Sequence, residues 1–492
     1  VSRRPLTAGA AIAVLLLGAL GGARPALADA SASGALRAKY LRNAEENASA
    51  FDARLELDVA IGDLSAGVVY RSYQLSDPQG YNPAGVEIPE AEIKHRYAEI
   101  LRGELYARAG HFVSTFGRGL TLRSYEDVDL EYDTLLDGLT AEYTTPGATI
   151  TALAGAAAET PFGEDHFDHT IRALRVSAPV SEWMTVAGSS VERTATEITN
   201  APGQPERIED GVLGAEVEAW LGPFTLAAEY AAREGVRGEH LDGHAFYTAG
   251  TLDLGRVTLF AEVKDYDNFH HYLVNPPTCV REHLWTLMNR ATHEVELVGE
   301  HGFLAEGNLL VGEGLYLTGG ASEARRPDND LAHWEIFGQA EQTFGTAVVR
   351  LGGSWSREYE DAEYRTFTEH VIGAADIDLE LGSGDIAEIG LEAERVEDVA
   401  GLTYEVYIGS VTFYPGDDFT FSTVFETSTK AAAEGTDVKD VWLMIEVKKL
   451  LPDDLEIGVS IGSEAGGKKC SGGVCYFEPE FAGARVRLTK FF

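Results

Sequence analysis

Two stretches of this 492-residue chain gather residues whose types suggest chemistry. Residues 114–138, STFGRGLTLRSYEDVDLEYDTLLDG, hold Arg118 and Arg123, then Glu126, Asp127, Asp129, Glu131, Asp133 and Asp137. Basic groups beside a run of acids make no or break no bonds. Laid across a passage, they set up a transverse field that sorts ions. The segment is too long for a turn and carries apolar residues among its charges, so it should fold against something. The alternative is a loop packed on an outer rim. Residues 268–294 gather His270, His271, His283 and His293 with Glu282, stiffened by Pro276-Pro277. Imidazoles and carboxylates ligate cations, but this spacing matches no standard zinc pattern. Polar packing of an ordered loop is the expectation, and no metal or cofactor is assigned. Cys470 and Cys475 bracket four residues and are spaced to close a small disulfide, with free thiols as the alternative. Cys279 has no evident partner. There is no GxSxG, HExxH, P-loop or CxxCH pattern, so enzyme activity is not expected.

The elements that must hold these residues repeat one pattern. Val441, Leu443, Ile445 and Val447 alternate with Trp442, Met444, Glu446 and Lys448. Leu455, Ile457, Val459 and Ile461 alternate with Glu456, Gly458, Ser460 and Gly462, and Val257, Leu259, Ala261 and Val263 with Thr258, Phe260, Glu262 and Lys264. Period 2 over about ten residues fits a tilted strand that crosses a bilayer, lipid on one side and water on the other. Helical spacing fits none of these runs. Connections alternate between tight turns (LGP at 221–223, DLGR at 253–256) and longer segments, the rhythm of an outer-membrane barrel. Counting from Leu64 gives 22 strands. Residues 51–61 look like one more, which would make the number odd, whereas single-chain bacterial barrels are even. The expectation is therefore an all-β, up-and-down transmembrane barrel of about 22 strands, within 22–24. A secreted β-sandwich or propeller is the competing architecture.

The ends agree with that reading. Arg3 and Arg4, the apolar run Ala8 to Gly22 and the ALA at 26–28 form an export signal, residues 1–28. Residues 29–50 are assigned to a periplasmic lead-in and 51–492 to the barrel. At the other end Gly483, Val486, Leu488 and Phe492 form an apolar stripe with a terminal aromatic, read as an assembly signal for the barrel machinery. The last strand should close onto the first. Removal of the signal takes away three arginines and no acid, moving the formal charge from −40 to −43. That charge excludes nucleic acid as a natural partner. The stripe opposite lipid holds acids such as Glu216, Glu262, Asp376, Glu392 and Glu394, so the lumen should favour cations, unless these acids are merely a solvated face.

Two windows, 109–143 and 275–294, resemble an uncharacterised family of bacterial outer-membrane barrels. The shared features are the FGxGL-x-x-RSYED segment and the Pro-Pro segment running into Leu-x-Asn-Arg-x-x-His. The first window is also loosely similar to a segment of porin-like exporters. The resemblance implies a porin-like barrel, and it carries over no substrate and no catalytic residue. Together these observations lead to an expected outer-membrane channel for passive diffusion of small hydrophilic solutes, cation-preferring, with Glu392 and Glu394 joining the 114–138 loop at a constriction. A barrel that scaffolds a secretion, surface-assembly or electron-transfer partner is the alternative, and an outer-membrane hydrolase a second one.

Overall fold

The computed structural model describes residues 30–492 apart from 45–46, 76–90, 129–131, 158–166, 198–206, 236–241, 270–272, 294–298, 328–329, 362–365, 383, 436–439 and 472–473. The proposed export signal lies outside the described residues. The alternating segments are strands, and 24 of them form one closed antiparallel sheet. Closure is made by Ala30–Asn43, which pairs with Ala48–Ile61 on one side and with Phe481–Phe491 on the other. The last strand does close onto the first. Turns at one end are tight, and Gly222 and Gly345 adopt positive φ there (65° and 61°), a backbone that a Cβ would strain. Connections at the other end are long.

From Leu64 onward the strands number 22, as the alternation indicates. Residues 51–61 belong to a barrel strand, and the even count is restored by Ala30–Asn43. The expected periplasmic lead-in over 29–50 is therefore corrected: Ala30–Asn43 is barrel wall. Its outward positions include Gly34 and Ala38, so polarity contrast along the strand is weak and its period is hard to read.

The outward stripe is apolar and uncovered. Leu213, Leu351, Leu391 and Ile461 are each more than half exposed. Left in water, each would forgo roughly 1.5–3 kcal/mol of burial free energy, and a hydrocarbon surround removes that penalty. No helix among the described residues is long and apolar enough to cross a membrane. The packed core lies inside the barrel. Ile171, Val191 and Val212 point inward from the wall and pack in one cluster with Phe116, Leu120, Leu122, Trp285 and Leu287 from two connections. Part of the inner stripe is thus apolar where a loop covers it.

Candidate functional site

Both covering connections enter from the end with long loops. In the first, residues 113–135, Ser114–Phe116 pairs with Leu122–Ser124 and Glu126–Asp127 with Tyr132–Asp133. The tip turns on Gly117, at φ 57°. A Cβ there would lie 2.5 Å from Oε2 of Glu229, so only glycine lets the backbone reach that wall carboxylate. The Arg118 N–H donates to Glu229 at 2.5 Å, and Thr121 meets Ser189 at 3.3 Å. Phe116, Leu120 and Leu122 are buried against the wall. The loop is therefore folded into the lumen, and the rim alternative is set aside.

Glu126, Asp133, Arg118 and Arg123 each turn to partners outside this set. Glu126 is gripped by the wall: Arg54 binds both its oxygens at 2.7 and 2.8 Å, while Lys94 and His95 approach at 3.1 Å. Burial opposes the Glu126 charge, but His95 and Arg54 hold the carboxyl well below the usual carboxylate range. Asp133 lies 3.2 Å from Lys94, and Asp127 is half-buried opposite Tyr132. Arg118 turns the other way, 3.5 Å from Glu218. Arg123 lies over the Tyr125 ring and donates to the Asn275 carbonyl at 3.4 Å. Asp129 and Glu131 lie outside the described residues. The expected confrontation of this loop's acids with its own arginines is thus corrected: the wall and the second loop supply stronger partners.

The second loop, 268–293, docks on the acidic arc of the wall. Trp285 fits over Gly352, where a Cβ would be 2.1 Å from its ring, and donates Nε1–H to Asp376 at 3.0 Å. At the short helix Thr286–Arg290, the N–H groups of Thr286 and Leu287 donate to Glu392 at 3.1 and 2.7 Å. Arg290 binds Glu426 through its two terminal guanidinium nitrogens, at 2.6 and 3.1 Å. Burial works against the Arg290 charge, but Glu426 raises its pKa further. His283 meets Glu335 at 2.9 Å. His293 bridges Glu358 and Glu300, each at 2.8 Å, and Glu300 also pairs with the fully buried Lys264. Glu392 is accordingly a docking acid for this loop, and Glu394 pairs with His370 at 2.7 Å. His270 and His271 lie outside the described residues. Cys279 is a buried free thiol, and burial pushes its pKa up.

The loops also join each other. The Arg123 N–H donates to the Leu273 carbonyl at 2.7 Å, and Asn275 Nδ2 to the Tyr125 hydroxyl at 3.0 Å. Together they form a bridge across the lumen, from Arg54 on one strand to Glu426 on another.

The sector around the closing seam has a different character. Inward from Val441–Leu451, Phe481–Phe491, Ala30–Asn43 and Ala48–Ile61 come Glu446, Lys448, Arg487, Arg37 and Glu56. Arg487 is 3.1 Å from Glu446, and Arg37 pairs with Glu56. The Arg37 and Arg487 side chains are each 44% exposed and Lys448 39%, although all three sit on the inner face. Exposed charge on the inner face means that this sector is wet. At the seam itself Gly483 lies between Asn43 and Gly462, Val486 points out to lipid, and Leu488 opposes Ala38. Phe492 exchanges both backbone hydrogen bonds with Gly34. Cys470 and Cys475 are register partners in the hairpin formed by Gly467–Ser471 and Val474–Glu478, and their side chains lie outside the described ones.

Sequence reasoning missed Arg54, Lys94, His95, Glu300, His333 and Glu358. One readable clue was available: inward position 352 is a glycine, an interruption that marks a close approach.

A closed 24-stranded barrel with an apolar exterior and a wet, charged inner sector is a bacterial outer-membrane β-barrel. The chain belongs to a family of unknown function, DUF6029, whose model matches residues 36–315. No curated protein matches it in sequence. Among solved structures it is similar to an E. coli P pilus tip assembly intermediate, PapC-PapD-PapK-PapG. There the TM-score is 0.54 with 12% identity, over 94% of this chain and 60% of that one. It is also similar to the siderophore receptor PirA of Pseudomonas aeruginosa (TM-score 0.49, 8% identity, 94% of this chain and 80% of that one). The outer-membrane protein opdK of the same species has TM-score 0.40 and 12% identity, over 71% of this chain and 98% of that one. Identities this low speak to the fold alone.

Proposed function

We propose that the protein is a passive channel for small hydrophilic solutes, that it works without enzyme chemistry, and that it prefers cations only modestly. The carrying observation is the wet seam sector. Arg37, Arg487 and Lys448 keep solvent-exposed charge on the inner face, beside a loop bridge that reaches this sector at Arg54. Solute would pass between that bridge and the seam wall. The modest preference follows from pairing. Glu126, Glu392 and Glu426, which in the open would attract cations, are bound to Arg54, to backbone N–H groups and to Arg290. The remaining field comes from a chain of net charge −40, balanced locally by the seam arginines. Phe492 and the stripe before it are read as the signal that delivers the chain to the assembly machinery.

Planar-bilayer recording of the purified protein tests this reading. The expected result is steady ohmic conductance with a small cation-selective reversal potential across a salt gradient. Deleting part of 118–134 should raise single-channel conductance. A membrane-inserted protein that carries no current would remove the channel reading and favour a scaffold.

A further inference from the structure

Three side chains on separate segments converge beneath the second loop. His293 comes from the loop, and His333 and Glu358 from the wall strands Leu331–Phe344 and Ala347–Asp361. Their ligand atoms all lie within 4.8 Å of one another. The two imidazole rings are stacked 5.2 Å apart at 13°, with Nδ1 of each directed at one oxygen of Glu358, at 2.8 and 3.0 Å. Both histidines are buried, at 2% and 1% exposure, whereas the Glu358 side chain is 35% exposed. The group is a pocket of two nitrogen donors, closed behind and capped by a carboxylate that water can reach.

We propose that His293, His333 and Glu358 form a binding site for a borderline divalent cation such as Zn²⁺ or Cu²⁺, which staples the 268–293 loop to the barrel wall. Imidazole and carboxylate donors suit those ions, while Ca²⁺ and Mg²⁺ select oxygen-only shells. Tetrahedral zinc with bonds of about 2.1 Å needs ligand atoms about 3.4 Å apart, so small side-chain rotations complete the site. The water-accessible side leaves a coordination position for solvent.

The surroundings favour this reading. Nε2 of His293 contacts Glu300 at 2.8 Å, and Glu300 is itself held by Lys264. A carboxylate on the far nitrogen is the usual outer partner of a metal-ligating histidine, fixing its tautomer so that the near nitrogen offers its lone pair. Nε2 of His333 is buried without a hydrogen-bond partner. When Nδ1 of His333 becomes a ligand, the proton it directs at Glu358 moves to that Nε2, and the ring stays neutral. A second convergent group, His95, Glu126 and Asp133, lacks this freedom. Lys94 sits 3.1 and 3.2 Å from both of its carboxylates and Arg54 chelates Glu126, so cations of the chain already occupy it.

Binding must release a proton. With both nitrogens of His293 directed at carboxylates, the ring is an imidazolium, and the ion takes the place of the Nδ1 proton, which goes to solvent. Lys264, through Glu300, and His333, through Glu358, are further ionisable groups next to this cluster.

The test uses full-length protein in detergent micelles, stripped with chelator and titrated with Zn²⁺ by calorimetry. One equivalent should bind. Affinity should fall in acid, where protons compete with the ion for the imidazole nitrogens. His333→Gln and Glu358→Gln should each lower it by about tenfold or more. Co²⁺ added to the wild type should give the intense visible bands of a four-coordinate, nitrogen-ligated ion, a readout that depends on no variant. The proposal falls if the wild type binds no stoichiometric Zn²⁺. It also falls if Co²⁺ shows only a weak six-coordinate spectrum, or if His293→Gln/His333→Gln binds as tightly as wild type.

Discussion

Lys264 and Arg487 are both cations on the inner face of the same barrel, and their circumstances are opposite. Lys264 lies under the second loop, fully buried with Glu300. Arg487 lies on the last strand, 44% exposed beside Glu446. Alternation alone treats the two as equivalent, because it reports only which face a side chain is on. What separates them is cover. Under the loops, charges have lost water and must be matched one to one, so they hold structure. At the seam, charges keep their water and remain available to a passing ion. The difference teaches that an inward acidic stripe is a docking surface where a loop covers it and a source of field where nothing does.

The largest expected effect lies at the closing seam. Deleting Lys490 to Phe492 removes the Phe492–Gly34 pairing and the last register pairs with Ala35 and Leu36. The truncated chain should accumulate in the periplasm. Normal heat-modifiable barrel in the outer membrane would show that the terminus is dispensable.

Next come the two cations themselves. Lys264→Met takes from the buried Glu300 one of its two cationic partners and should destabilise the barrel by about 3 kcal/mol. Arg487→Gln breaks an exposed pair and should change stability by no more than about 1 kcal/mol. Chemical unfolding in micelles reads both. Equal losses would break the comparison between covered and wet wall.

Gly352→Val tests the cover directly. Its side chain would occupy the place of the Trp285 ring, and the mismatch should cost about 1–3 kcal/mol and loosen the second loop. Proteolysis within 268–293 should speed up, with cleavage in 113–135 changing less.

A smaller effect is expected with pH, and in opposite directions for the two loops. His293 is raised above its unfolded value to about 9. Its contribution is therefore complete below about pH 6.5 and is lost as pH rises through about 9. Hydrogen exchange of 273–293 in the presence of chelator should accelerate between pH 8 and 10, and His293→Gln should abolish that dependence. Glu126 is lowered, so its contribution is present at neutral pH and fades only in acid well below the ordinary carboxylate range. The first loop should show no alkaline transition.

The smallest effect sharpens the electrostatic side. Glu126→Gln with Asp127→Asn should barely move the reversal potential, because Arg54 and Lys94 already neutralise Glu126. Arg37→Gln with Arg487→Gln should shift it further toward cations. The reverse ranking would return the constriction to the first loop's acids.

The strands from Leu64 onward, the lipid-facing stripe and the inward fold of 114–138 were legible in the sequence. Each rests on local physics: a two-residue period, turn chemistry, and apolar residues in a segment too long for a turn. Ala30–Asn43 was not legible, since glycine and alanine at outward positions leave little polarity contrast. The partners of the candidate residues were out of reach for another reason. Arg118 meets Glu229 across 111 residues, Leu287 meets Glu392 across 105 and Arg290 meets Glu426 across 136. The sequence by itself determined a barrel and the face each strand residue occupies, because pleat and period are properties of neighbouring residues. Only the tertiary structure decided which inward charges are covered and which are wet, because that depends on where two loops land after the ring has closed.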